Sequence, residues 1–141
     1  MRTINHYSDK PKKSELIPVG DGKRAWAYVR TNIKSETYTD EDGNERKDWT
    51  AVEYSAQVNT LNFHLDDAFA DKLIANETEK AAEAVRTVRN ALLEATDKEM
   101  LVDRADPQSE RYAAMTAYRQ ALRDIPSQKG FPFDVEWPVK P

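Results

Sequence analysis

The two histidines and the acidic residues are the side chains of this chain that could carry out chemistry. His6 and His64 lie in unlike sequence contexts, and no serine or aspartate is spaced from either as in a catalytic triad. Because the chain has no cysteine, it can form neither a disulfide nor a thiolate metal site. Its four glycines lie in turn-like settings and cannot form a phosphate-binding loop. The residue types therefore give no positive indication of an enzyme.

A buried pair of carboxylates could still serve acid–base or metal chemistry. The segment from Asp40 to Glu45 is superficially similar to a calcium-binding loop, but it is too short for an EF-hand and lacks the flanking helices. Asp66 or Asp67 is placed to cap a helix, and Asp106 precedes a proline that suits a helix start. We therefore expect neither a cofactor nor a metal ion.

Arg119 and Arg123 are four residues apart and share one face of a predicted helix. They could bind phosphate or the carboxylates of a partner. The alternative, which we prefer for at least one of them, is an ion pair within the chain. The aspartates available for such a pair are Asp97, Asp103, Asp106 and Asp124.

The length of 141 residues fits a single domain, or a small domain with an appended arm. Charged residues make up 33% of the chain and the mean hydropathy is −0.83, which leaves a modest core. The net charge of −4 argues against a nucleic-acid partner, because neutralising phosphates requires a basic surface. No apolar run approaches membrane-spanning length, and the first residues lack the apolar region of a signal peptide. We expect no membrane partner and a protein that stays in the compartment where it is made.

Residues 1 to 23 include several prolines, glycines and lysines and only one apolar run, Leu16–Val19, which predicts a mobile arm with one short edge strand near that run. From Lys23 to Thr60, two strand-like runs flank Asp42-Gly43, which predicts a β-hairpin. Pairing outward from that dipeptide predicts an apolar face with these opposed residues: Ile33 with Val52, Thr31 with Tyr54, Val29 with Ala56, and Ala27 with Val58.

The other face of the predicted hairpin is mostly polar and pairs Glu36 with Trp49, Asn32 with Glu53, and Arg30 with Ser55. Three aromatic residues, Trp26, Tyr28 and Trp49, fall on it. Exposed aromatics on such a face could mark a binding surface, so we treat the three as a secondary candidate surface. The alternative, which we prefer, is that they cover a second small core or pack under the N-terminal arm.

Apolar residues recur at helical spacing from Asp66 to Ala95, and a shorter helix is predicted to open at Asp106-Pro107 and to end at Pro126. The remaining prolines predict an extended tail. The fold class is therefore α+β: an N-terminal antiparallel β-hairpin region, a long helix, a shorter helix and an extended tail. We predict a division into residues 1–62, the N-terminal arm and hairpin region, and residues 63–141, the helical region.

The C-terminal segment carries a set of residues that together form a specific pattern. They are Arg89, Leu92, Leu93, Thr96 and Asp97, then Asp103 and Asp106, then Tyr118, Arg119, Leu122 and Arg123, then Gly130-Phe131-Pro132, Trp137-Pro138 and Pro141. From about Arg86 to Pro141, the chain resembles the phage tail assembly chaperone family. Tail fibre assembly proteins end in a similar pattern and compete with that family here. The family usually has tryptophan directly after the aspartate at position 97, where this chain has Lys98.

The resemblance implies a non-enzymatic role in bacteriophage tail assembly through contacts with tail proteins: a tape measure, tail tube or tail fibre protein. The alternatives are a tail fibre assembly protein and a structural component of the tail or baseplate. The implied location is the host cytoplasm or the virion, and a homo-oligomer fits the thin apolar helix. The candidate partner-binding residues are Tyr118, Arg119, Arg123, Phe131, Phe133 and Trp137. In one interpretation the tail docks on a partner; in the other, which we prefer, it folds back and covers the core of this chain.

Overall fold

The structure is a computed structural model that describes residues 1–20, 22–61, 63–101 and 106–141. It confirms the α+β class. The described residues form four strands, two α-helices and two short 3-10 helices. In chain order they are β1 (Arg2–Tyr7), β2 (Ser14–Val19), β3 (Arg24–Thr39), β4 (Glu45–Asn59), α1 (Asp67–Asp97), a 3-10 turn (Lys98–Met100), α2 (Glu110–Asp124) and a second 3-10 turn (Ile125–Ser127).

The four strands form one antiparallel sheet in the order β1-β4-β3-β2. The first two strands of the chain therefore lie at opposite edges, and residues 8–13, which we call the strap, connect them. The predicted edge strand near Leu16–Val19 is confirmed as β2, but the prediction of a mobile arm is wrong, since β1 also pairs with the hairpin. Pro18 lies in the edge strand β2, where a missing backbone donor is tolerated.

The predicted hairpin exists, but its predicted register is wrong by two residues over the inner half. Val52 lies opposite Thr31 instead of Ile33, and Tyr54 lies opposite Val29. The register shifts between Thr31 and Lys34, at a bulge where Asn32 has a positive φ of 50°. A five-residue loop from 40 to 44 replaces a two-residue turn, and neither change shows in the hydrophobic pattern. Because the inner slip is an even number of residues, the inner half of each strand keeps its predicted faces. The outer half is off by one residue: Glu36, predicted opposite Trp49, lies opposite Asp48, so this part of β3 presents the opposite faces from those predicted.

The apolar face of the hairpin packs against the first half of α1. Val29 and Tyr54 are buried together with Leu73 of the helix, and half-buried apolar residues of α1 surround them. Those residues are Phe69, Ala70 and Ile74, and Leu65, just before the helix, packs against the same core. This core belongs to the first of two compact units, Met1–Glu77.

The start of α1 agrees with its prediction, since the Asp66 carboxylate accepts a hydrogen bond from the Phe69 amide at 2.8 Å. The predicted start of α2 is wrong. Asp106-Pro107 forms a turn in which the Asp106 carboxylate accepts from the Gln108 amide, and the helix begins at Glu110. Ser109 is its cap: the side-chain oxygen accepts from the Tyr112 amide at 3.2 Å.

The second compact unit, Thr78–Pro141, contains a core that we call the helical core. Its buried residues are Met115, Tyr118, Leu122 and Ile125, and the half-buried residues Val85, Leu92, Leu93, Met100, Phe131 and Val135 pack against them. The two units divide inside α1, whereas the predicted division at residue 62 precedes that helix; the division at 62 stays a prediction.

Candidate functional site

Tyr118 and Arg119 lie side by side on α2 but face different surroundings. Tyr118 is buried in the helical core, where it contributes packing. Arg119 donates to the last turn of α1: to the Leu93 carbonyl at 2.8 Å, the Thr96 hydroxyl at 2.5 Å and the Asp97 carboxylate at 2.7 Å. The end of a helix has unpaired carbonyls and partial negative charge, so a guanidinium is well placed there.

The expected ion pair within the chain is therefore confirmed for Arg119, with Asp97 as its partner. Arg123, one turn further along α2, is exposed. Of the other aspartates considered, Asp124 accepts from the Gln120 side chain and Asp106 closes the turn before α2. Asp103 lies outside the described residues.

A turn at Gly130 redirects the tail after the second 3-10 helix. The Gly130 carbonyl accepts hydrogen bonds from the Phe133 amide at 3.0 Å and the Asp134 amide at 2.7 Å, and the Phe131–Pro132 peptide bond is cis. A Cβ at position 130 would overlap the carbonyl oxygen of Asp134, so this turn requires glycine. The predicted tail is thus extended only after this turn.

Two further contacts hold the tail beyond the turn. The Gln128 side chain accepts from the Glu136 amide at 2.9 Å and donates to the Glu136 carbonyl at 2.8 Å. Near the end, the Lys140 ammonium donates to the Glu99 carboxylate at 2.5 Å. This bond to Lys140 is the main reason that the pKa of Glu99 is lowered from its usual value.

The aromatic residues of the tail differ in burial. Phe131 packs against the helical core, with the Arg86 guanidinium 5.9 Å from its ring centre. Phe133 and Trp137 keep 38% and 39% of their surface exposed. Among the six C-terminal candidates, Tyr118, Arg119 and Phe131 thus hold the unit together, while Arg123, Phe133 and Trp137 present surface to solvent.

The secondary candidates lie on the face of the sheet opposite α1 and are half-buried. The rings of Trp26 and Tyr28 are 6.5 Å apart. Two cations lie near the Trp49 ring: the Lys47 ammonium is 4.9 Å and the strap's Lys10 ammonium 5.6 Å from its centre. This part of the sheet is therefore covered partly by cationic side chains instead of an apolar layer.

A buried ion pair on the same face was missed by sequence reasoning. Arg30 and Glu53 are 6% and 7% exposed, lie opposite each other and bond at 2.8 Å. Tyr7 and Asn5 of β1 donate to the same carboxylate, at 2.7 and 2.8 Å. Burial disfavours the charge on Arg30, but its hydrogen bonds to Tyr7 and Glu53 outweigh this and raise its pKa. The predicted register had placed Arg30 opposite Ser55, which concealed the pair.

In two of the clefts that contain carboxylates, one carboxylate is paired with a cation. One, of about 350 Å³, is lined in part by Glu99, which contacts Arg111 and Lys140. The other, of about 450 Å³, lies at the strap and includes Glu15, which contacts Arg30. Across the described ranges, no group of three or more His, Cys, Asp or Glu side chains could hold a metal ion. None of the described helices is long and apolar enough to span a membrane.

Comparison with protein families identifies the class to which the C-terminal part of the chain is similar. The model of a family described as phage tail assembly chaperone protein matches residues 82–141. The matched segment lies within the compact unit Thr78–Pro141 and includes α2, the Gly130 turn and the tail. No curated protein and no solved structure matches the chain. The resemblance predicted from the residues is thus confirmed, and it supports a role in phage tail assembly.

Proposed function

We propose that this protein is a non-enzymatic chaperone of phage tail assembly that works by binding a tail protein. The observation that carries the proposal is the family match over residues 82–141, which falls within one compact unit with its own core. The partner is a tape measure or tail tube protein, and the work takes place in the host cytoplasm.

The exposed residues of the matched unit supply the contact surface in this proposal. Aromatic and arginine side chains dominate the binding energy of protein interfaces, and Phe133, Trp137 and Arg123 are of these types. The tail that carries the two aromatics is fixed by the Gly130 turn and by the Gln128 side chain. Since the segment is ordered before binding, little conformational entropy is lost when a partner docks.

An affinity pull-down from phage-producing cells tests the proposal, with the eluate identified by mass spectrometry. The wild type is compared with a variant carrying Arg123→Ala, Phe133→Ala and Trp137→Ala. The matched control carries Trp26→Ala and Tyr28→Ala on the sheet. We expect a tape measure or tail tube protein with the wild type and the control, and at least tenfold less of it with the C-terminal variant.

The two alternative functions, a tail fibre assembly protein and a structural component of the tail, predict different results in the pull-down and in purified virions. A tail fibre assembly protein would retain fibre protein instead of tube or tape measure protein. A structural component would be present in purified virions at a fixed ratio to the other tail proteins, whereas a chaperone would be sparse there. Recovery of no phage protein by the wild type would refute the assignment.

A further inference from the structure

The outer half of the β3–β4 hairpin, Lys34–Asp48, projects beyond the rest of the sheet; we call it the arm. β1 ends opposite Trp49 and β2 begins opposite Val29, so neither edge strand reaches the arm. Apart from Asp40, every residue of the arm is exposed. A two-stranded ribbon whose faces are exposed is only marginally stable in water. The arm therefore has the form of an element completed by another chain.

The tip of the arm is ordered by Asp40. Its carboxylate accepts from the Asp42 amide at 3.1 Å, the Asn44 amide at 2.8 Å and the Arg46 guanidinium at 2.8 Å. The hydrogen bond from Arg46 contributes most to lowering the pKa of Asp40, and the bond from the Asn44 amide contributes next. Because the tip is fixed, less conformational entropy is lost when the strand leading to it pairs with a partner.

The free edge of β3 in the arm is self-complementary. The Asp40 amide donates to the Asn44 carbonyl at 2.9 Å, so the backbone groups of Asp40 face β4. Backbone groups alternate between facing the partner strand and facing away, so those of Ser35, Thr37 and Thr39 face the open side. These three residues are placed symmetrically about Thr37. Two identical copies of this edge can therefore pair antiparallel about a two-fold axis.

We propose that two copies of this chain associate through their arms, with the β3 edges paired antiparallel about a two-fold axis at Thr37. Thr37 then lies opposite Thr37 of the second copy, and Ser35 lies opposite Thr39. Pairs of Thr and Ser side chains at such positions stabilise a sheet. On the other face of the ribbon, Lys34 lies opposite Asp40 and Glu36 lies opposite Tyr38.

Charge complementarity indicates that the molecule which pairs with this edge is a second copy of the chain. The arm holds six acidic and three basic residues, and the strap holds Lys10, Lys12 and Lys13 with Asp9 alone of opposite sign. Lys13 lies at the same edge of β3, where its carbonyl accepts from the Arg30 amide at 2.8 Å. Pairing about Thr37 directs each acidic tip, with Glu41 and Asp42, toward the lysines of the other copy's strap.

The other edge of the arm, formed by Glu45–Asp48 of β4, fits a copy of itself less well. A two-fold axis at Arg46 would place Lys47 of the second copy opposite Glu45, which is favourable. At the axis, however, Arg46 would face Arg46, and like charges directly opposite each other destabilise a strand pair. The open edge of β3 is therefore the one that pairs.

Single cysteines test this geometry cleanly because the chain has none of its own. In the proposed dimer, the two Thr37 Cα atoms are about 5.5 Å apart, within disulfide range. Lys47 lies opposite Thr37 in the arm but on the far strand, so two such residues are about 14 Å apart, three strand spacings. Under mild oxidation, Thr37→Cys should form a disulfide-linked dimer at least tenfold faster than Lys47→Cys. Equal rates would overturn the proposal.

Charge reversal provides a second test by sedimentation equilibrium. Glu41→Lys with Asp42→Lys should weaken the dimer at least tenfold, as should Lys12→Glu with Lys13→Glu. An equimolar mixture of the two variants should associate like the wild type, because both acid–lysine contacts return in the mixed dimer. The control pair, Glu83→Lys with Glu94→Lys on α1, should have no effect.

A wild type that stays monomeric at 100 μM and low salt would refute the proposal. If Thr37→Pro, which blocks only an outward-facing amide, prevented capture of a tail protein by a monomeric chain, that protein would be the occupant instead. The pull-down that tests the proposed function is scored separately, so either proposal can fail alone.

Discussion

Arg119 joins the two helices of the C-terminal unit by donating to three acceptors in the last turn of α1. Two of them, the Leu93 carbonyl and the Thr96 hydroxyl, belong to half-buried or buried residues. The three acceptors lie 22 to 26 residues away in sequence and on another helix, so this side chain links the end of α1 to α2.

We expect Arg119→Met to lower the free energy of unfolding by about 1.5 to 3 kcal/mol, since it removes charged hydrogen bonds and leaves acceptors unpaired. Arg123→Met is the matched control, as it is exposed on the same helix and should change stability by less than about 0.5 kcal/mol. Urea titration followed by circular dichroism measures both. Equal effects would mean that the Arg119 contacts do not stabilise the fold.

Residue types alone indicated that one of the two arginines would pair internally, and spacing on α2 could not say which. The choice depends on the end of α1, which sequence periodicity locates only to within a few residues. The ion pair between Arg30 and Glu53 could not be predicted from the residue pattern at all. Their pairing requires the register of β3 against β4, and this register is set by a bulge that no alternation of apolar residues reveals.

At the scale of elements, the Gly130 turn places the tail. Gly130→Ala introduces a Cβ that overlaps the Asp134 carbonyl, so the turn must open and Phe131 must leave the helical core. We expect a loss of about 1 to 3 kcal/mol, the range for a forced backbone shift. Thermal denaturation measures it, with the exposed neighbour Lys129→Ala as the control. An unchanged melting temperature would show that the turn adapts without cost.

The contact between Lys140 and Glu99 should make the end of the tail sensitive to acid. The pKa of Glu99 is lowered in the folded state, so the contact is complete above the ordinary pKa of 4.5 and is lost as pH falls through the lowered value. Amide NMR shifts of Val139 and Lys140 should show this transition. Lys140→Ala should abolish it, and a transition that survives this substitution would have another origin.

Element type was readable from the sequence, whereas several element boundaries were not. The hairpin, the long helix and the Asp66 cap follow from alternation, helical spacing and a short acceptor side chain. The start of α2 was misplaced because Asp106-Pro107 and Ser109 both suit a helix start, and the structure uses the serine. The strand β1 was missed because its partner β4 is distant in sequence, whereas the edge strand predicted near Leu16–Val19 is present as β2 and pairs with the next strand.

At the scale of the whole molecule, α1 is shared by the two compact units. Its first turns complete the core of the sheet, and its later turns carry part of the helical core. A fragment of residues 1–77 keeps Phe69, Leu73 and Ile74 against the sheet, whereas one of residues 1–62 loses all of them. We expect the first to fold cooperatively and the second to remain unfolded, as judged by circular dichroism and amide NMR dispersion. A folded 1–62 fragment would support the division predicted from the sequence.

The order of strands in the sheet also governs how the chain acquires its structure during synthesis. β2, β3 and β4 follow one another as neighbours, so each can pair as soon as it leaves the ribosome. β1 is made first but pairs only with β4; Asn5 and Glu53, which bond across that pairing, are 48 residues apart. The first strand must therefore wait while the rest of the sheet forms, because contacts distant in sequence are slow to close. Its arrival is the step that covers Arg30 and Glu53.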